Sequence, residues 1–106
     1  ALAANYHAKD MAVDNYMEHE SYDRKRNRLR KACGTFERIR RFIEFPYLGE
    51  NIAAGKSTAK ETMDDWMKSK THRQNILNEN FKYIGIGYHT NKKSRYIHYW
   101  VQDFGG

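Results

Sequence analysis

The hydrophobic period changes along this sequence, and that change constrains its fold more than any other feature. Over residues 82–89, apolar side chains alternate with Gly85 and Gly87 at a period of two, and the alternation resumes at residues 96–104 after a polar loop at 90–94. A period of two is typical of strands with one face buried. The pattern predicts an antiparallel hairpin, and the glycines should let a helix or loop approach one face of the sheet closely.

Upstream of the hairpin the period is helical. Leu2, Tyr6, Val13 and Met17 fall on one side of a helical wheel, which predicts an amphipathic helix over residues 2–17 with these side chains towards the core.

A second helix is predicted after Thr58, because Glu61 completes a capping box and Trp66 lies on the apolar stripe that follows. A further helix is expected over residues 72–77 and a short extended piece over residues 47–53. Helices before a terminal hairpin predict an α+β fold.

The length of 106 residues fits one domain spanning 1–106, with a polar exterior indicated by 30% charged residues. No apolar run approaches the roughly 18–20 residues that span a bilayer, and no signal peptide is recognisable in this sequence. Cys33 is the single cysteine, so an internal disulfide is excluded. We expect it to be a buried or free thiol.

Positive charge is concentrated in one segment. Residues 24–41, called here the basic segment, contain nine Lys/Arg and one acid, Glu37. Such a segment could attract phosphates, sulfated glycans or anionic lipid, although a solvated surface is the simpler interpretation. We expect an irregular excursion here, and the lack of interleaved aromatic residues argues against a specific nucleic-acid reader.

Four stretches in order resemble the signature blocks of the CAP superfamily (cysteine-rich secretory proteins, antigen 5, pathogenesis-related 1) in its cysteine-poor bacterial branch. They are an Ala-rich helix running into Met17-Glu18-His19; Gly49-Glu50-Asn51-Ile52-Ala53; Trp66-Met67-Lys68-Ser69 followed by Thr71-His72-Arg73-Gln74-Asn75; and Tyr83-Ile84-Gly85-Ile86-Gly87 answered by Tyr99-Trp100-Val101-Gln102-Asp103-Phe104-Gly105. The resemblance implies a three-layer α-β-α sandwich around a central antiparallel sheet. Residues 24–33 do not match the family pattern.

The resemblance also implies a cleft in which two histidines and two acids converge and can hold a divalent metal. His19, Glu50 and His72 match three of the four positions, whereas Ser69 stands at the fourth. Two imidazoles and a carboxylate are a reasonable zinc set, but the missing acid predicts weak or absent binding. The alternative is that these groups only hydrogen-bond the Glu50 segment to its neighbours.

The function implied is that of a secreted or surface-displayed binding module for a lipid, a glycan or a host protein, with a spirochaetal outer-surface lipoprotein as the suggested kind of protein. A metal-dependent hydrolase or protease using the same cleft is the alternative, although no His-Glu-x-x-His spacing is present. The sequence leaves the oligomeric state open.

Among other candidates, Trp66 and Trp100 are expected in the core. His7, His89 and His98 are expected at the surface or half-buried.

The charge distribution generates a prediction about polyanions. Replacing Arg24, Lys25, Arg26 and Arg28 with neutral residues should abolish retention on a heparin column, because cations this close act together within the screening length of about 8 Å at ~0.15 M salt. His72→Ala should elute like the parent protein. Co-elution of the four-fold variant with the parent would show that the basic segment is only a solvated surface.

Overall fold

The computed structural model describes residues 2–25, 28–41 and 45–106, with the backbone alone for residues 23–25 and 28–30. Within them lie helices α1 (Leu2–Asp14), α2 (Thr35–Arg40), α3 (Ala59–Lys68) and α4 (Lys70–Leu77). The strands are β1 (Ser21–Lys25), β2 (Arg28–Cys33), β3 (Leu48–Ala54), β4 (Tyr83–Thr90) and β5 (His98–Gly105). No helix among the described residues is long and apolar enough to cross a membrane.

The central sheet is antiparallel with strand order β3-β5-β4, which confirms the predicted hairpin of β4 and β5. The predicted extended piece at residues 47–53 is β3, which pairs along the other side of β5. Strand β5 begins at His98 and not at residue 96, because Ile97 has a φ of 70° that interrupts the extended backbone. Nearly all of β5 is buried, since it has a strand on each side and helices on both faces.

Helix α1 packs on one face of the sheet, but the prediction of which side of α1 is buried is wrong. Leu2 is 72% exposed and Val13 58%, and Tyr6 is also exposed. The buried stripe consists of small residues with one histidine and one methionine: Ala3, Ala4, His7, Ala8, Met11 and Ala12. Their small side groups let the helix approach the sheet more closely than Leu or Tyr would allow, so close packing decides which face is buried.

The closest approach is at Gly87. A Cβ atom built there would lie 2.2 Å from the backbone carbonyl group of Ala4. The predicted close approach of a helix to a glycine face of the sheet is therefore confirmed, and only glycine fits at this position without moving α1.

Helices α3 and α4 pack on the opposite face, chiefly against β3, while Ile84 and Ile86 of β4 remain exposed on that face. Thr58 caps α3 by accepting a hydrogen bond from the Glu61 amide at 3.2 Å, as predicted. Trp66 is buried and donates its indole N–H to the Ile52 carbonyl at 3.0 Å, which fastens α3 to β3. With α1 on the other face, the three-layer α-β-α sandwich is confirmed. Trp100 is also buried, as expected.

The start of the basic segment is not irregular. Strands β1 and β2 form an antiparallel hairpin, with Ser21 opposite Cys33 in the register, and helix α2 follows. The sequence prediction failed here because polar and charged residues make up most of these strands, so no apolar alternation with a period of two is visible. Cys33 is buried and free, as expected.

The Gly87 contact predicts that substitutions at two glycines have very different effects on the free energy of unfolding. Gly87→Ala should lower the free energy of unfolding by about 1–3 kcal/mol, because the added methyl group forces the Ala4 backbone away from the sheet. Gly34→Ser is the matched control: nothing lies within 4 Å of a Cβ at Gly34, and serine suits the helix N-cap that Gly34 occupies. Urea denaturation of both variants checks this, and equal stabilities would contradict the contact.

Candidate functional site

An open cleft of about 690 Å³ lies where α2, β3, α4 and the segment after α1 meet. Its lining includes the predicted site residues His19 and Glu50, together with Asn75 from α4. Glu20, Phe36 and Glu37 also line it. The cleft thus gathers polar groups from four separate parts of the sequence.

His19 and Glu50 contact each other directly. His19 Nδ1 lies 3.1 Å from Glu50 Oε1, and since an ionised carboxylate only accepts, Nδ1–H is the donor and Nε2 is left as an acceptor. The His19 side chain is 47% exposed, whereas that of Glu50 is buried. Burial lowers the pKa of His19, and the Arg38 charge lowers it further, so the imidazole is neutral at neutral pH.

Arg38 is the buried cation that balances Glu50. Its guanidinium is fully buried, and Nη2 donates to Glu50 Oε2. Nη1 donates to the His19 carbonyl at 2.6 Å and lies 3.0 Å from the Ser21 hydroxyl oxygen. Burial raises the pKa of Glu50, while a hydrogen bond from Asp103 and the charge of the guanidinium lower it. The ion pair with Arg38 holds the Glu50 carboxylate in place.

His7 extends the same network, and the expectation that it lies at the surface or half-buried is wrong. Its side chain is completely buried; Nδ1 accepts from Arg38 Nη1 at 3.0 Å and Nε2 donates to the Glu18 carbonyl at 2.6 Å. Burial, followed by the charge of Arg38, lowers the pKa of His7 to about 3. It is a neutral link between α1 and the segment that carries His19. His89 and His98 are half-buried, as expected.

Asp103 is a second carboxyl group beside Glu50. The two residues are opposite each other in the register of β3 and β5, and Asp103 is buried. Burial and the adjacent Glu50 raise the pKa of Asp103 to about 9, so it is protonated at neutral pH. Apart from the proton shared with Glu50, neither Asp103 oxygen has a hydrogen-bonding partner in the described part of the protein.

The other two predicted site residues are His72 and Ser69. Among the contacts that the structure describes, neither side chain touches His19 or Glu50. The backbone carbonyl of His72 accepts from Asn51 Nδ2 at 3.0 Å, and burial, then the charge of His19, lower the pKa of the half-buried imidazole. Ser69 separates α3 from α4, with its hydroxyl 3.4 Å from that of Thr71. From α4, the Asn75 side chain also bonds to β3 and donates to the Glu50 carbonyl at 3.2 Å.

The donor set does not fit a metal ion as it is arranged. Over residues 2–25, 28–41 and 45–106, no three His, Cys, Asp or Glu residues are placed to hold one. Glu50 has one oxygen on Arg38 and the other on His19, so neither is available without breaking a buried contact. Weak or absent metal binding by His19, Glu50 and His72 stays a prediction.

The predicted polyanion residues Arg24, Lys25, Arg26 and Arg28 cannot be compared with the structure. Arg26 and the side groups of the other three lie outside the described residues.

Comparison with known proteins gives one family. Residues 1–104 match the family model CAP, the cysteine-rich secretory protein family. The uncharacterized protein YkwD of Bacillus subtilis (strain 168) is 39% identical over 88 residues, which are 81% of this chain and 31% of that protein. The uncharacterized membrane protein YlbC of the same organism is 29% identical over 83 residues, 76% of this chain and 21% of that protein. The chain thus spans less than a third of each of these relatives.

Two solved structures share the fold. An extracellular protein containing an SCP domain from Bacillus anthracis str. Ames superposes with a TM-score of 0.74 at 32% identity, covering 98% of this chain and 30% of that protein. An outer surface protein from Borrelia burgdorferi gives a TM-score of 0.65 at 18% identity, covering 99% of this chain and 74% of that protein. The second likeness shows the fold alone.

The carboxyl pair predicts a pH dependence that Asp103→Asn should remove. The pKa of Asp103 is raised in the folded state to about 9, so its contribution to stability is complete below pH ~4 and is lost as pH rises towards 9. The asparagine amide can donate to Glu50 as the protonated acid does. The variant should therefore gain stability over the parent with rising pH, by up to roughly 1.4 kcal/mol per pH unit.

Urea denaturation of both proteins at pH 5, 7 and 8.5 measures this difference. His7 also titrates, but it is present in both proteins and its contribution cancels. A difference that stays constant with pH would contradict the protonated state of Asp103.

Proposed function

The chain belongs to the cysteine-rich secretory protein (CAP) family, and from this premise we propose that it is an extracellular binding module without enzymatic activity. The ligand occupies the open cleft beside His19 and Glu50. Fold membership does not select a ligand, so the proposal depends on the chemistry of the site.

The observation that carries the proposal is the buried ion pair of Arg38 and Glu50. A carboxylate that is fully buried, paired with a guanidinium and bonded to an imidazole is poorly placed to bind a metal or to accept a proton from substrate. The same contacts fix the cleft wall rigidly, which is what a binding site requires.

The wall chemistry favours a ligand rich in hydroxyl groups, and a glycan fits best among the lipid, glycan and protein ligands expected from the sequence. His19 Nε2 offers a hydrogen-bond acceptor, and the half-exposed ring of Phe36 offers an apolar face. Glu20 and Glu37 each offer one further carboxylate oxygen, since Glu20 Oε2 pairs with Lys31 and Glu37 Oε1 accepts from the Gly34 amide. Sugar hydroxyl groups donate to such acceptors, while the flat C–H face of a sugar ring can pack on the aromatic ring.

An extracellular location is part of the proposal. It is supported by the Bacillus anthracis relative, which is described as an extracellular protein. A lipid anchor, an outer-membrane location and binding of anionic glycans by the basic segment remain predictions from the sequence.

A metal-dependent hydrolase or protease is the second candidate, and one observation favours it. Glu50 holds Nδ1 of the half-exposed His19 imidazole and leaves Nε2 as an acceptor, as carboxylates orient metal-binding or catalytic histidines elsewhere. It ranks second because Ser69 stands at the position where the family has an acidic residue. In addition, no described contact joins the His72 imidazole to His19 or Glu50.

Zinc titration separates the two functions. Isothermal calorimetry on the parent protein should show weak or no zinc binding, and a peptide library should remain uncleaved with or without zinc. His19→Ala should change neither result, with His89→Ala, a half-buried histidine of β4, as the matched control. Tight zinc binding that is lost in His19→Ala, accompanied by peptide turnover, would establish the hydrolase. Tight binding that survives His19→Ala would show that the metal lies elsewhere.

A further inference from the structure

A second cavity, distinct from the cleft, lies between the start of α1, helix α2 and the edge of the sheet. It has a volume of about 310 Å³, and its walls include Leu2, Ile39, Phe45, Tyr83 and Phe104. The rings of Phe45 and Tyr83 stack at 5.1 Å between centroids and form one side. This volume is at the lower end of the range for small-molecule sites, and mainly apolar walls are typical of such sites.

Asp103 is the carboxyl-bearing residue among those that line this mainly apolar cavity. It lines the cavity while its neighbour Glu50 lines the cleft, so the carboxyl pair separates the two spaces. Asp103 is only 7% exposed, and its oxygens have no partner among the described residues beyond the proton shared with Glu50. A buried oxygen without a donor costs on the order of 1–3 kcal/mol, so a ligand that supplies a donor here gains that free energy.

We propose that this cavity binds a small apolar molecule bearing one hydroxyl group, which donates a hydrogen bond to the free carboxyl oxygen of Asp103. This site is independent of the ligand proposed for the cleft.

Charge and polarity select the hydroxyl group among other head groups. A pure hydrocarbon fills the apolar volume but leaves the Asp103 oxygen unsatisfied. A carboxylate would be buried without a counter-ion, because Arg38 is already paired with Glu50 and no Lys, Arg or His is among the described residues that line the cavity. A hydroxyl group is neutral and supplies the missing donor.

The test compares two probes that differ in that donor. Nitrogen-15 NMR of the labelled protein is followed during titration with p-cresol and with 4-methylanisole, in which a methyl ether replaces the hydroxyl. The amides of Gly85, Phe104 and Gly105, which line the cavity, should shift saturably. We expect p-cresol to bind roughly tenfold more tightly.

Three variants locate the contact. Asp103→Asn keeps an acceptor oxygen and should retain the preference for p-cresol, whereas Asp103→Leu should bind both probes equally. Gly85 is opposite Asp103 in the register and lines the cavity, so the valine of Gly85→Val enters it and should weaken both probes. Circular dichroism verifies that each variant is folded.

Three results would overturn the proposal: no saturable shift with either probe, equal affinities in the parent protein, or a preference for p-cresol that persists in Asp103→Leu. The comparison in the parent protein needs no variant, so it decides the matter even if Asp103→Leu does not fold. Failure here leaves the cleft proposal intact, because zinc and peptide turnover test that site separately.

Discussion

The buried guanidinium of Arg38 is the interaction on which the rest of the site depends. It comes from α2 and contacts Glu50 on β3, Ser21 on β1, His7 on α1 and the carbonyl of His19. Removing one partner of a buried ion pair costs about 3–5 kcal/mol, since the other charge is left in a medium that cannot solvate it. The position of α2 and of the His19 backbone therefore depends on where this one cation is buried, and its charge adds to burial in keeping His7 neutral.

The site interior carries almost no net charge, although the protein as a whole has a net charge of +6. Arg38 balances Glu50, the high pKa of Asp103 keeps it protonated, and low pKa values keep His7 and His19 neutral. A low dielectric makes any other arrangement costly. The excess positive charge is left to the outer surface, so recognition inside the cleft depends on hydrogen bonds and shape, while any attraction of polyanions comes from outside it.

Much of the fold could be predicted because its signals are local. Neighbouring residues specify each element: the capping box at Thr58, the apolar stripe containing Trp66 and the alternation around Gly87. The resemblance to the CAP superfamily then predicted that these elements form a sandwich. The buried face of α1 could not be read this way, since small residues were favoured by a contact with a strand about 80 positions away. Hydrophobicity alone points to the wrong face when backbones approach this closely.

Some residues of the site could likewise be predicted from the sequence, and others could not. His19 and Glu50 were identified from the resemblance, and the structure brings them together. Arg38 gave no signal, because nothing in a run of nine cations distinguishes the one that is buried. Asp103 did have a signal: it continues the alternation of Tyr99 and Val101 on β5, so an acid stands on a face that should be apolar. A charged residue in such a position indicates a functional or hydrogen-bonded group.

The order of strands in the sheet has a consequence for how the domain is made. The central strand β5 follows every other described element in the sequence, and both β3 and β4 pair with it and not with each other. During synthesis on the ribosome the sheet cannot assemble until β5 has emerged. Strand β3 therefore stays unpaired, with its apolar residues uncovered, while about 50 more residues are translated. Such late, long-range pairing slows folding and exposes unpaired edges. A nascent polypeptide stalled before residue 98 would therefore be a substrate for chaperones or proteases rather than a partly active domain.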